Sequence, residues 1–96
     1  MYQDDLMILL QLDLNILHPD ENRAKQLEHL IEAAVAMINR EVGKNGGRLV
    51  EPYSTEDAQL VVMYASYLYR KRSTNEPMPR MLRYALNNRV FGGAHT

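Results

Sequence analysis

The sequence predicts an all-α fold: a small four-helix domain with a long loop between helices two and three and a flexible C-terminal tail. Three observations predict it. Apolar residues recur every three or four positions through most of the chain, capping residues stand where each periodic run begins, and glycines and prolines cluster between the runs. At 96 residues there is room for one domain, residues 1–96, and little more.

The first helix is short, about residues 4–12, with Asp4 as its expected N-cap. It ends in LDLNILHPDE, where Asp13, Asn15, His18 and Pro19 mark a turn. The second, about 20–42, starts near Asp20 and stops at Gly43, a good C-cap residue. Leu27, Leu30, Ile31, Ala34, Ile38 and Val42 form its apolar face. GKNGGRLVEPY then breaks the pattern with three glycines and a proline, a flexible loop long for a helical bundle; Arg48 to Glu51 is a candidate extended segment. Ser54 or Thr55 caps the third helix, about 55–72, which has Glu56 and Asp57 in its first turn and Arg70, Lys71 and Arg72 in its last, as the helix dipole favours. STNEPMP leads to a fourth helix, about 79–89, with Pro79 at its first position. VFGGAHT is expected to be mobile in the lone chain.

Composition narrows the function. The net charge of −1, from 11 basic and 12 acidic side chains, argues against a protein whose main task is to neutralise DNA phosphates. With no cysteine there is no disulfide framework, thiolate zinc site or thiol nucleophile. The opening residues carry two aspartates where a signal peptide needs positive charge, and the apolar run Leu6 to Leu10 is too short to span a membrane. Charge is unevenly divided: residues 1–48 hold eight acids and five bases, residues 49–96 four acids and six bases. Such a gradient suits head-to-tail contact between copies.

Chemistry-bearing patterns are missing. His18, His29 and His95 have no metal-ligand spacing; GKNGG has phosphate-loop residues in the wrong order; Ser54, Ser66 and Ser73 lack a nucleophile-elbow context. The acidic pairs Asp4/Asp5 and Glu56/Asp57 sit at helix starts, where capping explains them. The expectation is no enzyme, no cofactor and no metal.

Two helix faces stand out instead. On the third helix Leu60, Tyr64 and Tyr67 widen the apolar arc to more than half the circumference, leaving Gln59, Ser66 and Arg70, with Met63 beside them, toward water. Such a helix is either central in its own bundle or meets another subunit. Glu28 and Glu32 form a like-charged pair on the polar side of the second helix, and Arg80, Arg83 and Asn87 form one stripe of the fourth. Both read as solvated faces, or as an acidic face that docks on a neighbour's basic one. The basic run RKRSTNEPMPRMLRYALNNR invites a nucleic-acid reading, but the linkers are too long for a helix-turn-helix, and Tyr69 and Tyr84 are expected to pack rather than stack on bases.

MYASYLYRKR followed by MPRMLRYALNNR, within a run from Ala58 to Phe91, resembles the small head-tail connector proteins of long-tailed bacteriophages and prophages. These are also called head-completion or adaptor proteins and are often described as DNA-packaging proteins. DLMILLQLDLN and LEHLIEAAVAMINREVG fit the same family, so the resemblance covers nearly the whole chain. It implies a structural virion protein that forms a homo-oligomeric ring of about twelve copies at the head-tail junction, made in the host cytoplasm. The ring would dock beneath the portal protein, extend the DNA channel with at most non-specific DNA contact, and offer a platform to a tail-side connector or stopper protein. On that resemblance Arg80, Arg83, Arg89 and Phe91 fall near the portal side, and the loop with Lys44 and Arg48 at the channel or the tail side. Glu28, Glu32, Leu60, Tyr64 and Tyr67 are the candidates for self-association. The alternative is a small helical nucleic-acid-binding regulator, favoured by the basic C-terminal half.

Overall fold

A computed structural model describes residues 1–72 and 74–92; Ser73, His95 and the tail after residue 92 lie outside it. The described residues form four α-helices and one short 3₁₀ turn, with no strand. The helices are α1 (Gln3–Asp13), α2 (Glu21–Val42), α3 (Thr55–Lys71) and α4 (Arg80–Gly92); the 3₁₀ turn is Gly43–Asn45.

Local chemistry explains most boundaries, with some corrections. Asp20 caps α2 by accepting from Arg23 N at 2.7 Å, and Ser54 Oγ caps α3 by accepting from Asp57 N at 3.1 Å. At α1 the expected Asp4 cap is replaced: the helix begins one residue earlier, and Asp5 at its third position accepts from Tyr2 N at 2.9 Å. A carboxylate one turn inside the helix can reach back to the entering N–H; one at residue 4 cannot do so here. Asn15, at φ 60°, ends α1 in the left-handed region that asparagine tolerates. Gly43 stays right-handed and runs into the 3₁₀ turn; the left-handed stop is Gly46, at φ 80°. Pro79 sits just ahead of α4 and its carbonyl accepts from Arg83 N at 3.1 Å. The fourth helix also passes its expected end at Arg89, because Val90 packs on the core and its carbonyl accepts from Asn45 Nδ2 at 3.1 Å.

α2 and α3 form the centre, and α1 and α4 each pack on both while barely touching one another. Fully buried Ala34, Ala58 and Ala65 let the central helices approach closely. Met1 and Tyr53 exchange backbone hydrogen bonds, and Arg70 pairs with Asp13, so α1 runs parallel to α3. Contacts of Arg23 with Tyr69 and of Arg89 with Asp57 make α2 and α4 antiparallel to it. The result is a flat body, 42 × 30 × 17 Å, with α1 and α4 as its two long edges.

Candidate functional site

The loop between α2 and α3 is built into the domain. Leu49 and Tyr53 are buried, and Leu49 N donates to Asn39 Oδ1 at 2.8 Å. Gly47 lies close to the end of α2: a Cβ there would come within 3.3 Å of the Val42 carbonyl oxygen, so a larger residue would push the loop outward. The Tyr53 hydroxyl is pushed above its ordinary pKa by burial and, secondarily, by the charge of Glu51. The expectation of a flexible loop is corrected, since two apolar anchors and a side-chain amide hold it to the core. No extended strand forms at residues 48–51. Lys44 remains exposed and pairs with Glu41 at 3.2 Å; the Arg48 side chain is exposed while its carbonyl accepts a hydrogen bond from α4.

That carbonyl is held by Arg89, whose place in the structure differs from the expectation. Arg89 Nε donates to Asp57 Oδ1 at 2.8 Å and its Nη2 to the Arg48 carbonyl at 3.3 Å. One guanidinium thereby ties the end of α4 to the start of α3 and to the loop, using the fork geometry that arginine offers. Arg89, half-buried, thus acts as a clamp within the subunit, a role the sequence did not suggest. Arg80, Arg83 and Phe91 stay exposed on α4.

A second correction concerns α3. Leu60, Tyr64 and Tyr67 are each at most 7% exposed and belong to the subunit's own core. The rings of Tyr64 and Tyr67 meet edge to face, with centroids 6.1 Å apart. Burial is also the main reason the Tyr64 hydroxyl sits above its ordinary pKa, with Tyr67 and Glu41 adding to the rise and Arg40 and Arg83 opposing it. The wide apolar arc is therefore the mark of a central helix, and these three residues do not offer a surface to a neighbour. Ser66, expected to face water, is buried too, and among the described residues its Oγ has no hydrogen-bond partner.

Glu28 and Glu32 are exposed on α2 as the wheel placed them, and among the described residues neither has an ion-pair partner. Three basic side chains, Arg23 of α2 with Lys71 and Arg72 of the basic run, are spent on tyrosines. Arg23 Nη1 donates to Tyr69 Oη at 2.9 Å, Arg72 lies over the Tyr69 ring at 4.5 Å, and Lys71 over the Tyr67 ring at 5.6 Å. Tyr69 packs as expected, but Tyr84 does not: it is 63% exposed on α4. No three histidine, aspartate or glutamate side chains gather into a metal-holding group among the described residues. No helix of the described residues is long and apolar enough to cross a membrane.

Sequence reasoning missed the most prominent surface feature. Ile8 and Leu12 on α1 are 58% and 64% exposed, and Met81 on α4 is 76% exposed, so both edges of the body present apolar stripes. The edges differ in charge: α1 contains three acids and no base, α4 three bases and no acid. The available signal was the wheel itself, since each of these helices has more apolar residues than one buried stripe can use. Comparison with known proteins found no matching family model, curated protein or solved structure.

Proposed function

We propose that the chain is a structural subunit of a head-tail connector, a ring that docks under a portal protein and receives a tail-side partner. The observation that supports this reading best is the pairing of two opposite edges, each with exposed apolar residues and each helix carrying charges of one sign. A flat unit with complementary opposite edges can join copies heterologously, and such contacts close into a ring when the rotation permits. The resemblance of MYASYLYRKR and MPRMLRYALNNR to connector proteins supplies the setting. In it Arg80, Arg83 and Phe91 contribute to portal binding, and Lys44 and Arg48 face the channel or the tail side.

A nucleic-acid-binding regulator is the competing reading, favoured by Lys71 and Arg72 at one end of the body. Light scattering over a concentration series, with and without portal protein from the same genome, separates the two. A species of about twelve subunits, formed alone or on adding portal, is the expected result. A stable dimer with salt-sensitive binding to short DNA would overturn it in favour of the regulator.

A further inference from the structure

The two edges match one another in more than charge. The hydrogen bonds between Met1 and Tyr53 set the start of α1 level with the start of α3, and the Arg89–Asp57 contact sets the end of α4 at that same level. Climbing ten residues from Tyr2 to Leu12 rises about 15 Å, and going back ten residues from Phe91 to Met81 also rises about 15 Å. Leu12 therefore stands level with Met81, Ile8 with Tyr84, Asp5 with Asn88, and Tyr2 with Phe91. All eight of these residues are exposed.

Their spacing matches as well. Along α1, Asp5, Ile8 and Leu12 follow at three and four residues; along α4, Met81, Tyr84 and Asn88 follow at three and four. Those are the intervals of a two-helix seam, in which side chains of one helix enter gaps on the other. Within one copy α1 and α4 are antiparallel, each running oppositely or alike to α3, so copies in the same orientation bring α1 and a neighbour's α4 together antiparallel.

From this geometry we infer that the α1 edge of one copy docks on the α4 edge of a second copy of this chain, Leu12 against Met81, Ile8 against Tyr84 and Asp5 against Asn88. The inference rests on the ring reading above and names the surface that would build it. Charge flanks the seam. Glu41 lies in the groove shared with Arg83, Leu86 and Asn87, so that flank of α2 meets α4. Glu28 is turned about 140° around α2 from Glu41 and lies on the other flank, beside α1. A neighbour in the same orientation brings the α4 flank that carries Arg80 and Arg83 toward the α2 flank that carries Glu28 and Glu32, the acidic-face-to-basic-face docking expected from the sequence. A contact between helices of 11 and 13 residues belongs to the small interfaces, below about 1,200 Å². Ring closure, which gives each copy two of them, is what makes it persist.

Because the chain has no cysteine, the seam can be read by disulfide trapping in the full chain. Ile8→Cys and Tyr84→Cys chains, mixed and oxidised, are expected to give the mixed bridge in about ten-fold excess over either symmetric bridge, and a chain carrying both substitutions gives a ladder of linked copies. Leu12→Cys with Met81→Cys reads the same seam if either first variant loses its circular dichroism. Equal amounts of mixed and symmetric bridges, or none, would overturn the seam. Light scattering on the unsubstituted chain distinguishes the two levels: a ring without the mixed bridge sinks the seam alone. The mixed bridge in dimers or open fibres upholds the seam and sinks the ring; a monomer with no bridge sinks both.

Discussion

The centre of α3 and the outer edges of α1 and α4 are both rich in apolar side chains, yet they do opposite things. Leu60, Tyr64 and Tyr67 are covered by the subunit's own helices, whereas Ile8, Leu12, Met81 and Tyr84 stay in water. The difference teaches that apolar excess alone does not mark an interface. α3 has neighbours around most of its circumference, so a wide apolar arc costs nothing there; α1 and α4 have neighbours on one side only, so the second stripe is left bare.

Substitution in the centre is the most direct way to break that contrast. Leu60→Ala removes a buried side chain and is expected to cost about 3 kcal/mol of subunit stability, read as the urea midpoint. A loss below about 0.5 kcal/mol would mean that α3 is less enclosed than its neighbours make it. Arg89→Met should cost about 2 kcal/mol, because it strips Asp57 and the Arg48 carbonyl of their shared donor; Asp57→Asn in the same chain should cost little more. Additive losses would show that the two side chains do not act as one clamp.

Smaller effects sharpen the comparison. Ser66→Ala is expected to raise stability by about 1 kcal/mol, or roughly 4 to 8 °C in Tm for a domain this size, since it removes a buried hydroxyl without a partner. Tyr53 and Tyr64 add a pH dependence of definite sign. Both hydroxyls hold their proton more tightly in the folded chain than in the unfolded one, so their contribution is complete below the ordinary tyrosine pKa of about 10 and is lost as pH rises beyond it. Thermal unfolding measured at increasing alkaline pH should show Tm falling, and Tyr64→Phe should flatten part of the fall. At the edges, Ile8→Ser and Tyr84→Ser should move subunit stability by less than about 0.5 kcal/mol while reducing self-association. Loss of the fold in either variant would place these residues with the core.

The same contrast explains what was legible in the chain. The number and order of the helices follow from local signals: Asp20 and Ser54 are the caps their positions suggested, and the buried face of α2 is the one its periodicity marked. Apart from the Asp4 cap, which a carboxylate one residue on replaced, errors fell where a residue's partner lies far along the chain. Arg89 reads as one more base of a basic run until Asp57, 32 residues earlier, is placed beside it. The loop reads as loose because glycines dominate it, and only packing reveals that Leu49 and Tyr53 anchor it. Ser66 reads as exposed because a wheel shows the side of a helix and not what lies next to it.

The sequence by itself determined the helical class, the caps of α2 and α3, and the excess of acids in the first half, because caps, periodicity and charge act over one or two turns. Tertiary structure alone decided which apolar stripes are covered. That choice depends on which helices become neighbours, and it buried the tyrosines of α3 while leaving α1 and α4 as opposed edges of a body 17 Å thick.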